Sequence, residues 1–526
     1  MTEVLRWLAS VAPIVLICVA ITVWKLPTQR TAILGALAAA IAAFFIHGAG
    51  PRLILLEAGK GAWNSISILL AIWPAIFLYE LLVHVKAFPS LCGVVTNSTK
   101  DELMTVLMFS WIFSSFLQGI SGFGVPVAVC APMLIAAGVK PLYAVMITLM
   151  GHTWANTYGT LGLAWNVLVQ QGSLSQHGLA PILTGALLWI CNFAGGFMSC
   201  WLYGRWKAVR HMLPVLLLIS AIQGGGQLAT GCIDPTIAAF LPTTIALAAA
   251  ILLMKAGFYT KAWSMESGMM DRSHGEPAAE TAFPVWQAVF PFVLLALISV
   301  LIFIVPAVNR PLSQITLSVS MPETATAHGF VNPAQAQFGT LKILTHAGFV
   351  LLLSSVFTWV LYAAAGKVGR KDFSPVMAAT VRKMVPVSVG IIFLLITAQI
   401  LRGSGAIEYI AQGVTRVFGS LYGFAAPFVG ILGAFVTSSN TSSNILLGSF
   451  QASAAELLGL PAAVILSAQT AGGAIGNMLG PSTILLGTTT AGCVGQEGRV
   501  LKGLLPCALT LAAIAGAIIF TLGIIL

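Results

Sequence analysis

The chain has 526 residues, of which 58% are hydrophobic and only 8% are charged, and its formal net charge is +10 at pH 7. Soluble globular domains carry about 25% charged residues, so this composition excludes a soluble domain. Long apolar segments recur from one end to the other, which predicts an all-α polytopic membrane protein embedded in the lipid bilayer. The excess of Lys and Arg falls in short loops between these segments, a distribution typical of cytoplasmic loops and not of nucleic-acid binding.

In chain order, the apolar segments predict about twelve transmembrane helices and two re-entrant hairpins. The full spans are 8–24, 30–47, 62–84, 141–163, 178–204, 212–231, 234–254, 285–307, 346–365, 385–403, 461–482 and 503–525. The hairpins are predicted at 103–138 and 421–459, because each of these apolar segments contains a polar interruption.

Charge placement predicts the domain organisation and the topology. Cations in 205–211, 255–283, 366–384 and 488–502 place these loops in the cytoplasm, whereas 164–177 has no Lys or Arg and is predicted outside. The chain is therefore divided into an N-terminal transmembrane half (1–254), a cytoplasmic linker (255–283) and a C-terminal transmembrane half (284–526). Segment 308–345 is predicted as an external loop, and both termini are predicted outside. In this topology hairpin 103–138 enters from the cytoplasm and hairpin 421–459 from outside, so the two halves form inverted repeats.

The two interruptions match each other in their surroundings. Each is followed by a span that begins at a proline, Pro141 or Pro461, and contains an Asn-x-x-Gly sequence, at 156–159 or 477–480. Helix-breaking residues at membrane depth must be buried in protein or line a cavity. Paired interruptions in corresponding halves predict a secondary transporter whose binding site lies between two broken helices.

Candidate substrate-binding residues lie in the interruptions and in the spans that follow them. Gly122 and Gly124 allow the backbone to expose N–H groups, and a helix N-terminus directed into a cavity is an anion site. The hydroxyls and amides of 438–444 bind polar solutes or cap helix ends. The predicted substrate-binding residues are Ser121, Gly122, Gly124, Asn156, Asn440, Thr441, Ser442, Asn444, Gln469 and Asn477. The alternative is that these residues only satisfy their own broken helices.

Three ionisable residues are candidates for coupling or anion contact. His152 lies centrally in a predicted span and titrates near physiological pH, so it is a candidate proton carrier. Glu80 is a second candidate, and Arg402 is a candidate for contact with a carboxylate. The alternatives are a hydrogen bond between helices for His152, an interfacial position for Glu80 and a membrane-edge anchor for Arg402. The sequence offers no catalytic cluster or metal-ligand spacing, so it predicts no enzyme activity, metal site or cofactor.

Four motifs give the chain a resemblance to a known family. They are GISGFGVPVA (119–128) followed by PLYA (141–144), SSNTSSN (438–444), AQTAGGAIGNM (468–478) and GQEGR (495–499). In these motifs the chain resembles the lactate permease family of bacterial 2-hydroxy-acid transporters. It departs from the family pattern at 151–159, which reads GHTWANTYG, and at Ser439, where the family usually has glycine.

The resemblance implies proton-coupled uptake of lactate, and often of glycolate, across the bacterial cytoplasmic (inner) membrane. The partners it implies are a small carboxylate and a coupling proton, with no nucleic acid, and the oligomeric state stays open. The alternative within transport is a sodium-coupled carrier of another carboxylate, since oxygen atoms near 440–444 also suit Na⁺. A membrane-embedded enzyme or a sensor predicts a catalytic cluster or an appended soluble domain, and the sequence shows neither.

Overall fold

A computed structural model describes residues 3–271 and 283–525, so part of the predicted linker 255–283 lies outside the described residues. The α-helices are α1 (Glu3–Thr22), α2 (Thr28–Phe45), α3 (Pro51–His84), α4 (Ala87–Ser98), α5 (Glu102–Leu107), α6 (Ser114–Ile120), α7 (Val125–Ala136), α8 (Pro141–His152), α9 (Gly159–Gly172), α10 (Leu179–Ser220), α11 (Gly226–Ile233), α12 (Phe240–Lys255), α13 (Val285–Ser299), α14 (Pro306–Leu312), α15 (Ala347–Ala364), α16 (Arg370–Gly403), α17 (Ala406–Phe418), α18 (Tyr422–Thr437), α19 (Asn440–Leu457), α20 (Ala462–Asn477), α21 (Pro481–Thr490) and α22 (Glu497–Ile525). Short π-helical or 3₁₀ turns are found at Met108–Phe113, Thr153–Asn156, Ala221–Gly225, Val300–Ile304 and Gly419–Leu421.

Within the described residues, eleven helical segments are long and apolar enough to cross a membrane. This confirms the predicted all-α polytopic membrane protein. The count differs from twelve partly because two predicted spans, 178–204 and 212–231, form one helical segment, Leu179–Ile233. That segment bends at Gly204 and Arg205, whose backbone angles are not helical.

Three predicted spans are not continuous helices. Span 141–163 breaks after His152, and residues 160–162 adopt left-handed angles. The break allows close backbone approach, because a Cβ on Gly162 would lie only 2.9 Å from the carbonyl oxygen of Pro235. Span 461–482 breaks after Asn477, and Pro481 then starts α21, since proline suits a helix start and not an interior. Span 234–254 becomes helical only at Phe240.

The segment predicted as an external loop, 308–345, also contains regular structure. It includes part of α14 and the strands β1 (Thr316–Met321), β2 (Thr324–Ala325), β3 (Val331–Asn332) and β4 (Gln335–Lys342). β1 pairs with β4 and β2 with β3, both antiparallel, with Thr316 opposite Lys342 in the outer pair. This β-hairpin packs on α3, where the indole N–H of Trp63 donates to the carbonyl of Gly339 at 2.9 Å.

The two interrupted segments fold back on themselves as helical hairpins. In the first hairpin, α5–α7, both ends are held by the same stretch of the linker. The N–H of Glu102 donates to the carbonyl of Trp263 at 3.0 Å, and the N–H of Lys140 donates to that of Met269 at 2.9 Å. In the second hairpin, α18 and α19, the Ser443 hydroxyl donates to the carbonyl of Gly430 at 3.0 Å. In each hairpin, the first and last residues therefore lie together at one end, and the tip lies at the opposite end.

The base of the first hairpin carries a buried carboxylate. Asp101 caps α5 by accepting from the N–H of Met104 at 3.0 Å, and it contacts Nε2 of His211 at 2.6 Å. The His211 ring stacks on Trp263, with ring centroids 3.9 Å apart. Burial raises the pKa of the Asp101 carboxyl, and the hydrogen bond with His211 opposes this shift. These contacts join α5, α10 and the linker into one rigid junction.

The helices form two packed groups. The long helices α3 and α16 pack against each other, and α1, α2 and α15 flank them. The hairpins pack with α8, α10, α20 and α22 in the second group. The groups meet where α16 contacts α19 and α3 contacts α9, close to the hairpin tips.

Candidate binding site

The tips of both hairpins open into one cavity of about 310 Å³, which we call the tip cavity. Residues 122–124 line it from the first hairpin, and residues 437–442 line it from the second. The predicted residues that line it are Gly122, Gly124, Asn156, Asn440, Thr441, Ser442 and Asn477. Residues more than 300 positions apart in the chain are thus brought to one site.

The first tip is a left-handed turn. Gly122, Phe123 and Gly124 have φ of 57°, 49° and 81°, which glycine adopts at little cost and other residues rarely adopt. The turn is closed by a hydrogen bond of 2.9 Å from the N–H of Val125 to the carbonyl of Gly122. Gly124 then starts α7, with Pro126 in its first turn. The two glycines are therefore what allows α6 to reverse into α7 at this point.

The second tip is shorter than the predicted interruption at 438–444. Only Ser438, with φ of 55°, and Ser439 leave the helix, and Asn440 already begins α19. The helix α19 begins inside the predicted interruption because Ser439 caps it. The Ser439 side chain accepts a hydrogen bond from the N–H of Ser442 at 3.2 Å. The Ser438 hydroxyl accepts from the N–H of Ser482 at 3.0 Å and joins this tip to the start of α21.

Three helix N-termini, those of α7, α19 and α21, therefore meet at the tip cavity. The first N–H groups of a helix have no partner within it, and each N-terminus carries roughly half a positive charge. No Lys, Arg, His, Asp or Glu is among the described residues that line the cavity. An uncharged, hydroxyl-rich pocket at converging helix N-termini suits a small anion.

Sequence reasoning missed several polar residues of this lining. They are Thr28, Gln29, Gln118, Thr160, Thr437, Ser482 and Thr483. Gln118 lies one helical turn before Gly122 in an otherwise apolar segment, so its position in the sequence could have indicated that it lines the site. Gln29 lies on a different helix group, and nothing in its sequence context indicates the site.

Three predicted binding residues lie behind the cavity lining. The Ser121 hydroxyl donates to the carbonyl of Leu117 at 3.0 Å within its own helix. Asn444 and Gln469 are fully buried between α19 and α20. The Gln469 amide donates to the Ser443 hydroxyl at 3.0 Å, and the Asn444 amide donates to the Thr470 hydroxyl at 3.0 Å.

These two amides belong to a buried polar network that runs along the second hairpin. Tyr422 donates to Gln451 at 2.5 Å, and Gln451 donates to Gln469 at 2.9 Å. At the tip end, the Asn440 amide donates to the Thr157 hydroxyl at 3.1 Å. The Asn440 Oδ1 atom is buried and has no hydrogen-bond partner. The network ties the second tip to both broken spans, 141–163 and 461–482.

The three ionisable candidates lie away from the tip cavity. His152 is buried at the end of α8, with Nδ1 2.6 Å from the carbonyl oxygen of Thr148. Glu80 forms an ion pair with Lys383 on α16. Arg402 donates to the Ser173 hydroxyl at 3.3 Å and lines a separate cavity of about 510 Å³. None of the three is among the described residues that line the tip cavity.

In the described part of the chain, eleven helical segments are long and apolar enough to cross a membrane, and a polar cavity lies between two hairpin tips. This arrangement is typical of a multi-pass membrane transport protein. The sequence model of the family described as L-lactate permease matches residues 6–526, so the chain belongs to the L-lactate permease family. The resemblance predicted from the four motifs is therefore confirmed, and the chain is a multi-pass transport protein of the bacterial inner membrane, not an enzyme.

Individual relatives align over nearly their whole lengths. The L-lactate permease of Halalkalibacterium halodurans is 25% identical over 93% of this chain and 91% of that protein. The glycolate permease GlcA of Escherichia coli (strain K12) is 24% identical over 97% of this chain and 94% of that protein. Among solved structures, the YdaH transporter of Alcanivorax borkumensis is 13% identical, with a TM-score of 0.42 over 90% of this chain and 87% of that chain.

Proposed function

We propose that this chain takes up lactate and related small 2-hydroxy monocarboxylates, such as glycolate, by proton-coupled symport. The observation that carries the proposal is the tip cavity, where three helix N-termini meet among hydroxyl and amide groups. The carboxylate lies against the backbone of residues 122–124 and the first turn of α19. The substrate hydroxyl bonds to neighbouring side chains such as Asn156 and Asn477. The names of the aligned permeases support this substrate class.

The coupling argument is electrostatic. A monocarboxylate is an anion at pH 7, and each charge moved against 100 mV costs about 2.3 kcal/mol. Carrying one proton with each anion makes transport electroneutral. We further propose that the first hairpin is re-entrant from the cytoplasm and the second from outside, which gives the two halves inverted-repeat symmetry.

A sodium-coupled carrier of another carboxylate is the second candidate, and one observation favours it. Asn440 Oδ1 is a buried acceptor without a hydrogen-bond partner, and uncharged oxygen atoms near helix breaks coordinate Na⁺ in transporters. This oxygen lies beside Gly473, in the packing between α19 and α20.

The deciding experiment measures uptake into proteoliposomes that contain the purified chain. Radiolabelled L-lactate, D-lactate and glycolate are each offered with an imposed pH gradient, once with sodium and once with choline. We expect lactate and glycolate to accumulate with the pH gradient in both salts. Accumulation that requires sodium and ignores the pH gradient would establish the sodium coupling of the second candidate.

His152→Gln tests the proton carrier. The change keeps a polar side chain but removes the imidazole ring that can take up and release a proton. We expect exchange of labelled for unlabelled lactate to continue at the native rate, whereas accumulation driven by a pH gradient is lost. His328→Gln, at an exposed position between β2 and β3, is the matched control and should keep both activities. If accumulation by the His152 variant still follows the pH gradient, His152 has a structural role and Glu80 becomes the remaining candidate.

Gln469→Leu tests whether the buried network supports the site or binds the substrate. Leucine removes the hydrogen bonds that Gln469 forms with the Gln451 amide and with the Ser443 hydroxyl. A buried polar group left unsatisfied lowers the free energy of unfolding by about 1–3 kcal/mol. We expect a lower melting temperature in detergent but near-native lactate affinity in the folded fraction. Gln412→Leu, at an exposed position on α17, should change neither. Native melting with lost lactate binding would instead make Gln469 a direct ligand, as the sequence predicts.

A further inference from the structure

A second cavity, larger than the tip cavity, is separated from it by a short stretch of backbone at the start of α9. This large cavity has a volume of about 590 Å³ and is lined from α3, α9 and β4 by Trp63, Asn64, Asn166, Gln170 and Lys342, among others. Of the described lining residues, it shares only Thr160 and Leu163 with the tip cavity. Gly159 lines only the tip cavity, and Leu161 lines only the large one. The partition between the cavities is therefore residues 159–163.

The partition has an unusual backbone. Thr160, Leu161 and Gly162 have φ of 50°, 53° and 79°, a left-handed run that a β-branched residue such as Thr160 rarely joins. Two backbone hydrogen bonds hold the partition in place. The N–H of Gly162 donates to the carbonyl of Tyr158 at 2.8 Å, and the N–H of Trp165 donates to the carbonyl of Thr157 at 3.0 Å. The strain sits in two side-chain-bearing residues, and strain of this kind clusters at switch regions.

Polar groups beside the partition lack partners in this conformation. The Tyr158 hydroxyl and the Trp165 indole N–H are buried without a hydrogen bond, although their rings pack together with centroids 5.2 Å apart. Buried polar groups in native structures nearly always have partners, so each exception calls for a reason. A second arrangement of residues 157–165 that gives these groups partners would supply that reason.

The two cavities face opposite sides in the topology predicted from charge. The large cavity is lined by Gln170 and Gln176 from the predicted external loop 164–177, and by Lys342 from 308–345. The tip cavity is lined by Pro386 and Leu486, next to the predicted cytoplasmic loops 366–384 and 488–502. The substrate site is thus open towards the cytoplasm and separated from the outside by the partition.

One carboxylate and one ammonium are among the described residues that line the large cavity. Its carboxylate, Asp234, accepts from the N–H of Thr236 at 2.8 Å within its own turn. Lys342 lines the cavity from β4, with His177 and His346 also in the lining. Its ammonium group offers a carboxylate a first contact before the anion reaches the uncharged tip cavity.

We propose that the large cavity is the outer vestibule through which the carboxylate reaches its site, and that residues 160–162 form the barrier that opens and closes between them. This inference rests on the proposed function and adds the outer route to it.

Side-specific thiol labelling tests the route. Cys232 precedes Ile233, which lines the vestibule, so its thiol is removed to avoid labelling there. The Cys232→Ala protein is therefore the background for all variants. Three variants are added to it singly, Asn166→Cys in the large cavity, Ser482→Cys in the tip cavity and Ala325→Cys on exposed strand β2, which lines neither cavity. Each is measured for lactate uptake and then treated with a membrane-impermeant, charged thiol reagent in right-side-out and inside-out vesicles.

We expect outer reagent to label Asn166→Cys and lower its uptake at least tenfold, while it labels Ala325→Cys without loss of uptake. Outer reagent should spare Ser482→Cys, which is labelled in inside-out vesicles. Equal labelling of Ser482→Cys from both sides, or full uptake by labelled Asn166→Cys, would overturn the proposal. If the native protein takes up no lactate, the proposed function fails, and the sidedness of labelling still reports on the barrier.

Discussion

Gly124→Val is expected to reduce lactate uptake to the level of empty vesicles while the protein still inserts in the membrane. Gly124 has φ of +81°, and a left-handed residue with a side chain costs about 1–2 kcal/mol. Its Cβ would also meet the side chain of Leu486, which lines the tip cavity from α21. Either Leu486 or the first tip must then shift, and the strain of the left-handed residue favours a change in the turn that leads into α7. Uptake and surface expression in the same cells measure the two effects separately.

The matched control is Gly257→Val. Gly257 has φ of +93°, and a Cβ there would meet nothing within 4 Å. The Gly257→Val variant carries the same kind of backbone strain outside the site, so its lactate uptake should stay close to that of the native protein. If both variants transport normally, the first tip does not form the anion site. If both fail to transport, backbone strain alone accounts for the loss.

Asn440→Asp is expected to abolish lactate binding, with an effect larger than that of Asn440→Ala. The aspartate removes the amide that donates to Thr157 and adds a negative charge at the start of α19. Two like charges 4 Å apart repel by about 4 kcal/mol at an effective dielectric constant of about 20, which is roughly a thousandfold in affinity. Alanine removes only the hydrogen bonds and should cost about 1–3 kcal/mol. Lactate dissociation constants for the purified variants measure both effects.

The same substitution separates the two coupling candidates. A sodium site beside Asn440 would gain affinity from the added carboxylate, whereas an anion site would lose it. Asn97→Asp makes the same change at an exposed position on α4 and should leave lactate affinity unchanged. Tighter sodium binding by Asn440→Asp with retained lactate binding would contradict the proposed position of the carboxylate.

The sequence by itself determined the class of protein and the places where its helices break. Apolar length predicts membrane helices because lipid leaves the backbone no other partner, and eleven such helices are found in the described part of the chain. The interruptions at Gly122 and Ser438 were predictable because they depend on local backbone preference, glycine in a left-handed turn and serine as a helix cap. Family membership was also readable, because two of the four motifs contain these local features.

Only the tertiary structure decided which polar side chains face the tip cavity. Asn440 and Asn444 are one helical turn apart in the same motif, yet Asn440 lines the cavity and Asn444 bonds to Thr470 on α20. Glu80 pairs with Lys383, about 300 residues further along the chain. Residues 160–162 turn left-handed inside a segment that reads as one apolar span. In each case the outcome depends on a partner distant in sequence, and apolar length and local propensity carry no information about that partner.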